Sequence, residues 1–174
     1  MATWDFSGYV TRNDLKCGDG RTIRRNAFKD CDGKTVPLVW QHVHKEFGNV
    51  LGHCLLENRD DGVYGYGYFN DTPEGRTAKE YVKHGDIKSL SIFANKLVHN
   101  GGDVIHGMIR EVSLVLAGAN PGAYIDNINI CHSDGSETMI EDEAIIYSGC
   151  ELEHSDDEEE NEQSLEPVDE KTSD

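Results

Sequence analysis

The sequence predicts a mainly β domain with flanking helices, of the α+β class. The expected form is a small barrel or curled sheet followed by a disordered acidic tail. Three observations lead there. Apolar runs of strand length alternate with Gly, Asp and Asn turn signals through most of the first 130 residues. Only one segment carries a full set of helix start and stop signals. Beyond residue 150 the composition turns almost wholly polar and acidic.

Taken in order, Trp4 to Thr11 alternates loosely around Phe6, Tyr9 and Val10 and reads as a first strand. Cys17-Gly18-Asp19-Gly20 is a turn signal, so a hairpin into Arg21–Arg25 is expected. Asp32-Gly33 marks a turn before a strand over Val36–His42. Strand side chains alternate, so Trp40, His42 and His44 would share one face, and Val39, Gln41 and Val43 the other. Asn49 to Glu57 gives a further strand, and Asp60-Asp61-Gly62 turns it into Val63–Phe69. There Tyr64, Tyr66 and Tyr68 form a stripe suited to sheet packing. Gly65 and Gly67 leave the other face bare, as happens where a backbone or ligand comes close.

Thr72-Pro73-Glu74 starts a helix, with Thr72 as N-cap, Pro73 at the first helical position and an acid in the first turn. It should run to about His84, with Gly85 as its stop. A strand around Ser91, a hairpin at Asn100-Gly101-Gly102 and a long strand from about Val104 to Leu116 follow. Gly118–Gly122 reads as a loop, Ala123–Ile130 as a last strand or docking segment, and Ile140–Tyr147 as a short amphipathic piece. The organisation is a folded body over 1–132, a connecting segment over 133–150 and an acidic, disordered tail over 151–174.

Charge and cysteine usage narrow the function classes. Of the net charge of −17, residues 151–174 contribute −11, leaving −6 on the body. Neither part has the basic surplus of a nucleic-acid binder. No apolar run approaches the roughly 20 residues of a membrane helix. Met1–Phe6 lacks the basic flank and apolar core of a signal peptide. The five cysteines are odd in number and contain no CxxC pair, which argues against a disulfide framework or zinc ribbon and for a reducing compartment. Gly65-x-Gly67 lacks the third glycine and the βαβ setting of a nucleotide fingerprint, and no cofactor is expected.

Three strand-like runs break an apolar pattern with a reactive polar group. His42 ends the first, Ser89 and Ser91 lie on one face of the second, and Glu111 and Ser113 share a face of the third. Serine, imidazole and carboxylate are the parts of a serine hydrolase. Each taken singly is more often structural, since strand serines usually face solvent or backbone and a lone histidine usually packs. The trio gains weight only if the three strands adjoin. The rival is a metal-dependent hydrolase using His42, His44 and His53, with Cys54 adjacent. No HExxH or paired-cysteine spacing supports it, and positions 53 and 54 point to opposite faces.

The same runs carry a family likeness. Val36-Pro37-Leu38-Val39-Trp40-Gln41-His42, Leu90-Ser91-Ile92, and Arg110-Glu111-Val112-Ser113-Leu114-Val115, with Ala119-Asn120-Pro121 and Ala123 behind them, resemble the prohead (procapsid maturation) proteases of tailed phages, HK97 type. The likeness spans roughly Phe6 to Ile130. It implies a fold like the herpesvirus assemblin protease, a small β-barrel with surrounding helices. Position by position it implies Ser91 as nucleophile, His42 as general base and Glu111 as the orienting acid, with Ser89 the competing serine. Implied substrates are the scaffolding segment of the major capsid protein, other scaffold protein and the protease itself, cut inside the procapsid in the host cytoplasm. Self-association as a dimer or higher form is a further expectation. A catalytically inactive, scaffold-binding capsid assembly module is the alternative that keeps the fold without the chemistry.

Overall fold

The computed structural model describes residues 4–14, 21–43, 47–116, 124–131, 137–151 and 153–154. Its strands are β1 (Phe6–Arg12), β2 (Thr22–Ile23), β3 (Thr35–Trp40), β4 (Val50–Arg59) and β5 (Gly62–Phe69), followed by helix α1 (Pro73–His84). After α1 come β6 (Ser89–Asn100), β7 (Asp103–Val115), β8 (Tyr124–Cys131), β9 (Glu137–Glu151) and β10 (Glu153–His154). Among the described residues one sheet holds all ten strands in the order β10-β1-β5-β4-β3-β7-β6-β9-β8, with β2 beside β7. The chain leaving β9 pairs again as β10 against β1, opposite Phe6 and Ser7. This curls the sheet into a half-barrel around Phe6, Val10, Leu38, Ile92, Leu114 and Ile146, all fully buried.

The local signals act where expected. The Gly75 N–H donates to Thr72 Oγ1 at 3.1 Å, so Thr72 caps α1 and satisfies one of its orphan donors. Gly85 ends the helix at φ +79°, a conformation that costs glycine little. The face of α1 bearing Gly75, Ala78 and Val82 is buried. No described helix is long and apolar enough to cross a membrane.

The bare face at Gly65 and Gly67 is filled by the protein itself. A Cβ at Gly67 would overlap the Phe6 ring, and one at Gly65 would press on Cys54 Sγ and Val10. The tyrosine stripe also packs within the sheet: Tyr64 meets Tyr9 edge-on at 5.0 Å, and Tyr68 stacks on His53 at 4.8 Å. Gly67→Ala must displace the Phe6 ring, and we expect it to cost about 1–3 kcal/mol. A urea melt reads this as a lower midpoint at unchanged slope.

Three elements depart from the sequence expectation. β2 does not form a hairpin with β1; it pairs in parallel with β7 at Asp103 and Val104. β10 takes the second edge of β1 at Phe6 and Ser7, and just beyond β1 the Asp14 N–H donates to the Ile23 carbonyl at 2.7 Å. β3 meets β7 only at Val112–Leu114, which leaves the start of β7 open to β2. β9 is a 15-residue strand rather than a short amphipathic piece, and it pairs with both β6 and β8. The expected strand face shared by Trp40, His42 and His44 does not form. β3 stops at Trp40, and Gln41 and His42 turn at φ +46° and +61°. Sheet pairing reaches Glu151, Glu153 and His154. The rest of the acidic tail, the Cys17–Gly20 turn, His44 and the Gly118–Gly122 loop lie outside the described residues.

Candidate active site

β3, β7 and β6 are neighbours in the sheet, so the strands carrying the three polar groups do adjoin. Ser91 in β6 lies opposite Ser113 in β7, and Glu111 sits two residues before Ser113, on the same face. His42 reaches that face from the turn just beyond β3. Both of its ring nitrogens are occupied. Nε2 is 2.8 Å from Ser91 Oγ, and Nδ1 is 2.8 Å from Glu111 Oε1. The His42 side chain is 9% exposed and that of Glu111 5%, so this hydrogen-bonded chain works in a largely dry setting. With Glu111 accepting, the neutral imidazole carries its proton on Nδ1, and the Nε2 lone pair faces the serine hydroxyl.

The turn that delivers His42 is strained and heavily held. Two consecutive non-glycine residues at positive φ cost of order 1 kcal/mol or more each unless the surroundings fix them. The His42 N–H donates to Ser113 Oγ at 2.9 Å, and the Gln41 N–H donates to the Leu114 carbonyl at 3.1 Å. Asn49 Nδ2 donates to the Trp40 and Val43 carbonyls at 3.0 and 2.8 Å, closing the turn from outside. Strain over-determined in this way fits a side chain that must be aimed.

An imidazole lone pair on a serine hydroxyl, with a buried carboxylate behind it, is an arrangement able to act as a general base–nucleophile pair with an orienting acid. The chain also matches the family model described as caudovirus prohead serine protease over residues 2–138 of 174. It belongs to that family. The matched stretch contains His42, Ser91 and Glu111, and it ends just inside β9. No curated protein and no solved structure gives a significant match to the chain.

In this family member the other sequence candidates fall elsewhere. Ser89 pairs with Val115 and Glu151 near the start of β6, two residues from the serine that meets the imidazole. Arg110, the neighbour of Glu111 that could have helped at the site, is exposed on the opposite face of β7, with Nε donating to Asn95 Oδ1 at 2.6 Å. The imidazoles proposed as metal ligands do not gather: His53 is exposed and stacked on Tyr68, while His42 is committed to Ser91 and Glu111. Cys54 is fully buried, and burial pushes its thiol up to about 12, far from the thiolate a metal takes. Among the described residues no group of three or more His, Cys, Asp or Glu is placed to hold a metal ion.

Sequence reasoning placed Ser113 but missed its bond to the His42 N–H, and it missed Asn49 and Ile146 altogether. Ser113 had a signal, since it shares its face with Glu111. Asn49 and Ile146 had none, because each acts through contacts that only the folded chain creates.

Proposed function

We propose that this chain is a serine endopeptidase in which Ser91 is the nucleophile, His42 the general base and Glu111 the orienting acid. The observation that carries the reading is the unbroken chain Ser91 Oγ–His42 Nε2 and His42 Nδ1–Glu111 Oε1, both links at 2.8 Å, in a member of the prohead serine protease family. Ser91 Oγ attacks the scissile carbonyl carbon while its proton passes to Nε2. The tetrahedral intermediate collapses, the amine leaves with that proton, and water hydrolyses the acyl-enzyme by the same route. Glu111 holds the tautomer and stabilises the imidazolium that forms in between. Ser113 acts as a positioning residue by holding the His42 backbone in its turn.

The proposed substrates are the scaffolding segment of the major capsid protein, separate scaffold protein and the chain itself, cut within the procapsid in the host cell. Self-association belongs to the same reading. A cavity of about 610 Å³ beside the His42 turn is lined by Trp40, Leu51, Ala78, Tyr81, Ile87 and Leu116 and suits an apolar substrate side chain.

The test is co-expression with the capsid protein of the same phage, read by intact mass. Trimmed capsid protein with wild type, and full-length capsid protein with Ser91→Ala, is the expected pair of results. Equal trimming by both would discard Ser91. No trimming by either would favour the inactive assembly module. In the same assay Ser113→Ala should lower turnover about tenfold at unchanged KM, because a misaimed base slows chemistry without weakening substrate binding. A merely structural Ser113 would leave the turnover of the folded fraction untouched.

A further inference from the structure

Ser91 is 0% exposed, and a nucleophile that substrate cannot reach needs an explanation. A reacting carbonyl has to come within about 3–3.5 Å of the hydroxyl. What lies there is the chain's own β9. It runs antiparallel to β6, with Tyr147 opposite Ser91, Ile146 opposite Ile92 and Ala144 opposite Ala94. The Ser91 hydroxyl donates to the Ile146 carbonyl at 3.1 Å. An extended peptide therefore already presents a backbone carbonyl to Oγ, along the strand edge that carries the serine. Its alternate residues Ala144, Ile146 and Ser148 are fully buried, as the bound face of an added strand would be.

Two further facts set β9 apart. All but its first two residues lie outside the stretch that matches the family. The Ser91 hydroxyl also has one proton and two acceptors facing it, His42 Nε2 and the Ile146 carbonyl. A proton given to Ile146 is withheld from the base. Paired β9 thus fills the approach to Ser91 and also competes for the proton the reaction must move.

We propose that the β6 edge under β9 is the substrate-binding edge, that substrate binds there as an extended antiparallel strand with small and apolar side chains inward, and that β9 is its intramolecular occupant. The enzyme is closed while β9 is paired and opens as substrate takes its place. This rests on Ser91 being the nucleophile. A tethered occupant sits at an effective concentration in the mM range, so dilute peptides compete poorly and substrate packed at high local concentration competes well.

The test pins β9 in place. Ala94 and Ala144 are cross-strand partners, and such pairs lie within the Cα separation that a disulfide spans. Full-length Ala94→Cys/Ala144→Cys protein is oxidised with diamide, the bond is confirmed by intact mass, and wild type receives the same treatment. Two readouts follow: cleavage of capsid protein, and labelling of Ser91 by a fluorophosphonate probe. The oxidised variant should lose both by about tenfold or more relative to its reduced form, and reductant should restore them. A cross-linked protein that cleaves and labels like the reduced one overturns the proposal while leaving the nucleophile intact. Absence of both activities from wild type and reduced variant overturns the nucleophile itself, and this proposal with it. Should the variant fail to fold, wild type still decides by hydrogen exchange. Labelling Ser91 must speed exchange of the amides over residues 144–147 and leave α1 unchanged, and unaltered protection there overturns displacement.

Discussion

Ser91→Ala is expected to lower capsid-protein cleavage by about 10⁵–10⁶-fold, and His42→Ala by a similar amount. The double variant should be no worse than either single one, because nucleophile and base act as a unit and the second deletion removes nothing that still functions. Ser89→Ala should stay within a few-fold of wild type, since Ser89 pairs with Val115 and Glu151 while the imidazole lies on Ser91. Stability supplies the control. Removing the Ser91 hydroxyl deletes the one buried donor that Nε2 and the Ile146 carbonyl share, which costs about 1–3 kcal/mol. That fraction of unfolding cannot account for five orders of magnitude in rate. A time course of cleavage with purified proteins, next to a thermal melt, separates the two. Wild-type cleavage by folded Ser91→Ala would end the proposal.

Glu111→Gln should reduce kcat by about 10³–10⁴-fold with KM little changed. The carboxylate only accepts hydrogen bonds, so it selects the imidazole tautomer protonated on Nδ1. Glutamine can instead present its NH₂ to Nδ1. The ring proton then moves to Nε2 and points at Ser91, where a lone pair is required. The imidazolium of the intermediate also loses its counter-charge. Glu111 is buried and glutamine keeps its shape, so a folded Glu111→Gln protein in a thermal melt is the control for the loss of rate. Lost turnover in an undiminished fold is the signature of an orienting acid. Near-normal kcat would place the third member elsewhere.

Much of this molecule is settled within short stretches of chain. The Thr72 cap, Pro73 and the Gly85 stop fix α1 because each satisfies or releases backbone groups within one helical turn. Alternation marks β4, β5, β6 and β7 because a half-buried strand must send every second side chain inward. The face shared by Glu111 and Ser113 and the position of Ser91 were legible for the same reason.

What the sequence could not decide depends on partners distant in the chain. Alternation would carry β3 straight through His42, yet the strand ends at Trp40. Backbone donors to Ser113 and Leu114, with Asn49 outside, stabilise a left-handed turn that local preference opposes. β2 pairs with the start of β7, an edge that is open only because β3 meets β7 further along, at Val112–Leu114. The Ile146 carbonyl meets Ser91 across 55 residues of chain. The sequence by itself therefore offered a serine, an imidazole and a carboxylate on three separate runs, two of which are strands that adjoin in the sheet. Tertiary structure decided how His42 is aimed and what stands over Ser91, since both rest on hydrogen bonds between segments that have no neighbouring sequence in common.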